Sequence, residues 1–385
     1  MRRIFALLIV TCHLLFVSSL FAVDVGVVLD QNAEYSGSGG DTAFSYKGIL
    51  IPRVSGLLGK NAEFLFSAGL NYKSDPWAFV PEILQAGITG RSWGLEFAFG
   101  RMAYSDPLGY IASGLFDGGR LTFNTDTGSF SAGAWYTGFL YKKRISVEMT
   151  EKERGANNAV LNYGDFVNSF FAPRRVLAAI DWVHKGLWDR ALAKLSLLGQ
   201  FDLSDDKLHS QYLTGKATVP FGAYSFDLGG CFELIEVNDD IGSAFAAELA
   251  FTWRNHAHYL SLGAKYSSGG SDSIAPFSPL TTNAPGQMLK PKFSEITVLS
   301  LDYTARLHET FSAGLYPAYF ILNDSQSVKD KRMLGGEIFA ALYWSPVPDI
   351  SVNLGGGAYM PSLGDVAPED KSYWRVELNV ILSLF

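Results

Sequence analysis

The chain has 385 residues, of which 48% are apolar and only 18% charged, below the roughly 25% usual in globular proteins. Its 14% aromatic content (28 Phe, 18 Tyr, 8 Trp) and 39 glycines exclude a disordered chain. Beyond the first twenty or so residues no apolar run reaches the ~18–20 that a spanning helix needs. A helical membrane bundle is therefore excluded, and a large all-β protein is left.

Arg2 and Arg3 give a basic start, Ile4 to Val17 is apolar, Ser18-Ser19 is polar, and Leu20-Phe21-Ala22 offers a cleavage site before Val23. This layout predicts a secretory signal peptide over residues 1–22, with 23–385 as a single domain. The rival reading, Cys12 as a lipidated amino terminus, is opposed by Thr11 and by the apolar run that continues past the cysteine. Removing 1–22 lowers the 31 basic residues to 29 against 38 acidic, a net of −9 in place of −7. No basic stripe is present, which disfavours nucleic acid as a partner. Cys231 is then the only cysteine, so no intrachain disulfide can form.

Alternation of apolar and polar side chains predicts strands near 23–31, 43–57, 62–73, 77–89, 93–104, 118–125, 129–141, 175–185 and 191–203. It continues at 208–220, 224–235, 244–253, 257–267, 294–306, 310–322, 334–345, 350–360 and 373–385. In 93–101, for example, Trp93, Leu95, Phe97 and Phe99 oppose Gly94, Glu96, Ala98 and Gly100. Many of these strands exceed the 5–6 residues typical of soluble sheets and match the ~9–11 that cross a membrane when tilted. Connections alternate between short ones, such as 90–92, 126–128 and 221–223, and longer ones near 105–117, 142–174 and 268–293. Tight periplasmic turns and long outer loops produce this asymmetry. The fold expected is a closed antiparallel transmembrane β-barrel of about 18 strands, with 16 to 20 possible because 43–57, 77–89 and 118–125 alternate poorly. Trp93, Trp188, Trp253 and Trp344 fall near short turns, and Trp77 and Trp374 near long loops, as two interfacial belts require. Trp135 and Trp182 do not fit that pattern.

The last strand carries Trp374, Val376, Leu378, Val380, Leu382 and Leu384 on its apolar face and ends in Phe385, out of phase with them. Residues 99–123, FGRMAYSDPLGYIASGLFDGGRLTF, place Gly-Arg before a loop and Phe-Asp-Gly-x-Arg after it. In these features the chain resembles the bacterial outer-membrane porins, in particular the large alginate-export-type and substrate-specific ones. The resemblance implies an outer-membrane barrel, monomeric or homotrimeric, embedded in membrane lipid and passing small polar solutes. It names no solute and no cofactor.

Charged residues occupy the polar phase of most strands: Glu96, Asp181, Asp202, Asp227, Glu233, Glu248, Asp302, Glu337 and Glu377, with Arg120, Arg175, Lys194, Lys216, Lys265, Arg306 and Arg375. An Arg or Lys facing lipid at the midplane costs ~2–4 kcal/mol, so these groups are expected to line an aqueous lumen. Many of them are expected to pair across neighbouring strands and stiffen the wall. Residues 105–118, with Asp106 and Asp117 between Arg101 and Arg120, are expected to fold inward as the constriction, with 142–174 and 268–293 as rival plugs. The function expected is passive diffusion, with selectivity set by lumen charge and an infolded loop. The excess of acids points to tolerance for cations or neutral sugars. The alternative is a plugged structural or adhesin-like barrel whose outer loops bind a partner. An enzyme is not expected: the histidines lie far apart, no GxSxG or HExxH occurs, and the pair His256-x-His258 reads as a solvated turn rather than a metal site.

Overall fold

The computed structural model describes residues 23–74, 77–187, 190–204, 207–238, 240–270, 274–323 and 331–384. The expected signal peptide, with Arg2, Arg3 and Cys12, lies outside the described residues, as do Trp188 and Phe385.

Eighteen antiparallel strands follow one another around a single sheet. They are β1 (Val23–Ser38), β2 (Asp41–Leu58), β3 (Ala62–Ser74), β4 (Trp77–Ser92), β5 (Leu95–Ser105), β6 (Ser113–Thr125), β7 (Gly128–Tyr136), β8 (Arg175–Leu187) and β9 (Ala191–Asp202). The second half comprises β10 (Leu208–Phe221), β11 (Tyr224–Val237), β12 (Asp240–Arg254), β13 (His258–Ser267), β14 (Ile296–His308), β15 (Phe311–Leu322), β16 (Met333–Val347), β17 (Ile350–Met360) and β18 (Tyr373–Leu384). Strand β1 also pairs with β18, from Val27↔Leu384 to Ser38↔Tyr373, so the sheet closes on itself. Closure lets the backbone groups of a spanning sheet bond within the protein.

The alternation explains which face turns outward. In β11, Tyr224, Phe226, Leu228, Phe232 and Leu234 are exposed, while Cys231 and Glu233 between them are buried. The same inversion recurs in β12, where Phe245, Leu249 and Phe251 are exposed and Ala244, Ala246 and Glu248 buried. An apolar outer face and a polar inner face suit a barrel whose surroundings are hydrocarbon.

At the end that holds Val23 and Leu384, strands join through two or three residues, as at 59–61, 93–94, 126–127, 222–223, 255–257, 309–310 and 348–349. Connections at the opposite end run from the turn Gly39-Gly40 to the spans 137–174 and 268–295. Gly39 and Gly40 have φ of 58° and 102°, which a tight hairpin of this twist requires.

Three boundaries depart from the expected ones by five residues or more. Strand β1 continues to Ser38 rather than ending at 31, because Asn32, Glu34 and Ser36 keep the inner phase although Ala33 and Gly37 give little apolar signal opposite them. Strand β6 begins at Ser113 and not at 118, and β7 ends at Tyr136 and not at 141. Trp135, unexplained by an interfacial belt, is an inward residue 2% exposed. Trp182 stacks on Phe130 at a centroid distance of 6.3 Å.

One stretch of wall is incomplete. Pairing of β4 with β5 runs only from Ser92↔Leu95 to Ala86↔Arg101, leaving the outer half of β4 bonded to β3 alone. Side chains occupy the open edge. Arg101 donates to the Ile83 carbonyl at 2.5 Å, and the Tyr163 hydroxyl bonds both the N–H and the carbonyl of Phe79. Pro81 lies between them and has no N–H to leave unpaired.

Candidate channel constriction

Three outer connections turn inward and form an apolar core inside the barrel, in which Ile111, Leu140, Phe277 and Leu280 are essentially inaccessible. Connection 106–112 is tied by Asp106, whose carboxylate accepts the N–H groups of Leu108 (2.8 Å), Gly109 (3.0 Å), Ile111 (2.9 Å) and Ala112 (3.0 Å). Burial pushes the Asp106 carboxyl above its ordinary range against the pull of those four donors. Connection 137–174 contains α1 (Lys142–Ile145), α2 (Glu151–Asn158) and α3 (Phe166–Phe170). Helix α2 starts with a capping box between Thr150 and Glu153. Glu153 also reaches the fully buried Arg175 on β8 at 2.7 Å, and Arg175 bonds Asp202 at 3.1 Å.

The connections interlock. Thr281 N–H donates to the Ile111 carbonyl (3.1 Å), Asn283 donates to the Gly109 carbonyl (3.0 Å), and Thr282 N–H donates to the Ser146 carbonyl (3.0 Å). Tyr110 and Phe293 meet edge to face at 4.6 Å. Wall carboxylates hold the third connection in place. Glu233 accepts Ser278 N–H at 2.8 Å while Tyr212 donates to the Ser278 carbonyl at 2.7 Å. Glu337 accepts three successive N–H groups, from Gln287 (2.6 Å), Met288 (3.0 Å) and Leu289 (2.7 Å). On the other flank Arg144 of α1 bonds Glu82 of β4 at 2.5 Å.

The structure does not bring Asp106, Asp117 and Arg120 together. Asp106 is 4% exposed and its oxygens serve its own connection. Asp117 stands in β6 in phase with the exposed Leu121 and Phe123, on the outer face, bonded to Arg101. Its assignment to the constriction is corrected on that ground: the strand begins five residues earlier than the sequence suggested, so Asp117 belongs to the wall and not to a loop. Arg120 faces inward lower down, with Glu96 and Thr122 around a cavity of about 470 Å³.

The other charged positions share the phase opposite the exposed apolar residues. Lys216 meets Glu248 at 2.7 Å across the intervening strand β11, and Arg375 lies 3.5 Å from Glu377 and 3.9 Å from Glu34. Asp181 accepts from the Tyr104 hydroxyl at 3.4 Å, and Asp227 from Thr218. Lys265 sits 5.0 Å above the Tyr110 ring. Lys194 stands opposite Lys216 in the ladder, and Asp302 opposite Ser261. Glu96 pairs with Arg91 at the short-turn end, and Arg306 is exposed beside the register shift of β14. His258, from the turn pair, bonds the Tyr303 hydroxyl at 2.9 Å and stacks on Trp253.

A group that sequence reasoning missed lies on the strands nearest the closure. Asn353, Asn379, Asn32, Lys47 and Lys73 are direct partners across β17, β18, β1, β2 and β3, forming one continuous inward row. Lys47, Lys73 and Lys143 line a cavity of about 580 Å³ together with Asp30, Asn32, Asn379 and the paired Arg144 and Glu82. Burial, together with the nearby Lys73, lowers the Lys143 ammonium below its ordinary range. Burial likewise lowers Lys290, with Arg375 and Lys47 adding to the effect. The signal was present in 43–57, where Lys47, Ile49, Ile51 and Arg53 share a phase, but apolar members on both faces hid it.

No protein-family model and no curated protein matches the chain. Solved structures do. Pseudomonas aeruginosa OccK2 (OpdF) in complex with glucuronate superposes with a TM-score of 0.65 at 12% identity, covering 94% of this chain and 98% of that one. The chain has the fold of an outer-membrane porin. The outer membrane protein OpdK of the same organism gives 0.63 at 11% identity over 94% and 99%, and OpdK with vanillate gives 0.63 at 12% over the same shares. The eighteen-stranded count agrees with the expected one.

Proposed function

We propose that this protein is an outer-membrane channel for passive diffusion of small polar solutes, narrowed by the connections 106–112, 137–174 and 268–295, and that it favours organic anions. One observation carries the anion preference. Acids outnumber bases in the chain, yet the carboxylates beside the infolded connections are engaged: Glu82 by Arg144, Glu153 and Asp202 by Arg175, Glu233 and Glu337 by backbone N–H groups. Lys47, Lys73 and Lys143 form no ion pair among the described residues and line one cavity. The net charge of the chain, which suggested cations or neutral sugars, is thus a poor guide to the charge a solute meets. Glucuronate and vanillate, bound in the neighbouring structures, are both carboxylates, which supports the reading.

Planar-bilayer recording of the purified protein under a KCl gradient tests it. The expected result is a reversal potential of the anion-selective sign, reduced by Lys47→Glu and Lys73→Glu. A cation-selective current would overturn the preference. The apolar core formed by the connections favours a second reading, a plugged barrel that presents its outer loops to a partner; absence of any current would establish it.

A further inference from the structure

We infer that the connection 137–174 crosses the wall where β4 and β5 part and presents Phe139 and Tyr163 to the acyl chains of the outer leaflet. The inference does not depend on the anion preference. Consecutive residues of this connection lie on opposite sides of the sheet. Leu140 is 1% exposed within the inner core, whereas Phe139 is 64% exposed. Phe139 meets Tyr136 edge to face at 4.9 Å, and Tyr136 is the direct partner of Asp117, in the outer phase of β7. The Phe139 carbonyl accepts from Arg101 at 3.0 Å, and that guanidinium holds Asp117 on the outer face. Although this ion pair stands on the lipid-facing side, the Arg101 side chain is only 10% exposed. Phe139 sets an apolar ring beside two charges that hydrocarbon solvates poorly.

The depth of these contacts identifies the occupant. The exposed Trp77 meets Tyr72 edge to face at 6.5 Å at the outer end of β3 and β4, where an interfacial belt belongs. Strand β4 runs from that end toward the short turns, so Phe79 and Ile83 stand on the hydrocarbon side of the belt. Tyr163 bonds both backbone groups of Phe79, and Arg101 bridges the Ile83 carbonyl to that of Phe139. Lipid offers backbone groups no partner, so an edge left open at this depth must be closed by the protein. The connection 137–174 closes it twice, through Tyr163 at the edge and through Arg144, which reaches Glu82 on the lumen side. Phe139 and Tyr163 are themselves exposed, and so are Phe79, Ile83 and Phe99 of the adjoining outer face. With Arg101 already neutralised by Asp117, this patch offers apolar contact and no free charge for a phosphate, which suits acyl chains.

A fluorophore at Phe139 tests this in phosphatidylcholine vesicles. Phe139→Cys is made with Cys231→Ala, so that a nitrobenzoxadiazole label attaches at one place. A phosphatidylcholine spin-labelled on its acyl chain is expected to quench this label as it quenches the same label at Leu121→Cys, on the outer wall. Iodide on both sides of the membrane is expected to leave the emission largely intact. Strong quenching by iodide with little by the spin-labelled lipid would place Phe139 in water and overturn the inference. Insensitivity to both quenchers would mean that protein, this chain or a second copy, covers the patch, and would overturn it equally. The unmodified protein gives a readout that needs no variant to fold. In vesicles containing a phosphatidylcholine with an acyl-chain diazirine, illumination is expected to leave adducts on the peptides bearing Phe139 and Tyr163 as well as on the strands. Adducts confined to the strands would also overturn the inference.

Discussion

Arg101 and Asp117 face each other across β5 and β6 and are joined by two parallel hydrogen bonds of 2.7 Å, on the outer face of the wall and not in the passage. The same guanidinium donates to the carbonyls of Ile83 and Phe139, bridging the place where β4 and β5 cease to pair. Gly100 beside it has a φ of 110°, and an added Cβ would stand 2.1 Å from the Ala86 carbonyl oxygen. The Gly-Arg and Phe-Asp elements of the sequence thus serve wall closure.

Arg101→Ala is expected to destabilise the barrel, because it leaves Asp117 unpaired next to lipid and two carbonyls without a donor. Breaking a desolvated pair from one side costs roughly 3 kcal/mol, whereas replacing both partners with apolar residues is far milder. The thermal midpoint of heat-modifiable migration in detergent should therefore fall more for Arg101→Ala than for the double variant Arg101→Leu, Asp117→Leu. Asp117→Asn should leave ion preference unchanged; an altered preference would return Asp117 to the passage.

Asp106→Asn tests a carboxylate that was expected to face the solute and is instead the knot of its own connection. An amide has one acceptor oxygen for four N–H donors. The variant should raise current noise and the protease sensitivity of 106–112, with little change in ion preference. A change in selectivity at unaltered noise would contradict the buried role.

The alternation made the strand count readable because hydrocarbon outside and water inside impose opposite demands on successive residues. It failed where one demand was weak. In β1 the outward Ala33 and Gly37 carry little apolar signal, and in β2 the inner-face Ile49 and Ile51 dilute Lys47 and Arg53. The charged wall positions were readable one by one, but not their partners. Glu337 engages residues about fifty positions earlier, and Arg144 meets Glu82, 62 positions away, through a connection whose path no local pattern encodes. The expected constriction rests on the residues nearest two strong strands, whereas the apolar core inside the barrel draws on all three connections together.

Glu337→Gln should loosen the connection 268–295. Three successive N–H groups converge on the two oxygens of Glu337, and the amide nitrogen of Gln would face one of them with a donor. Hydrogen bonds to a charged group are worth about 1.5–3 kcal/mol each, so the loss is large against the stability of one loop. Single-channel records should show wider, fluctuating openings, and hydrogen exchange at 287–289 should accelerate. Unchanged exchange there would mean the apolar core holds the loop unaided.

Two lysines of the infolded connections give the proposed anion preference a pH dependence whose sign is fixed. Lys143 and Lys290 have lowered ammonium pKa values, each first through burial and then through neighbouring cations. Both groups therefore lose their protons before the pH reaches the ordinary lysine value of about 10.4. The cationic form is present at neutral pH and disappears as pH rises through the lowered values. Anion preference should fall over that alkaline range, earlier than unperturbed lysines would cause. Lys143→Arg keeps the charge throughout and should hold the preference to higher pH. A preference that stays flat up to the ordinary lysine range, identical in the unmodified protein and in Lys143→Arg, would show that neither lysine sets the charge met by the solute.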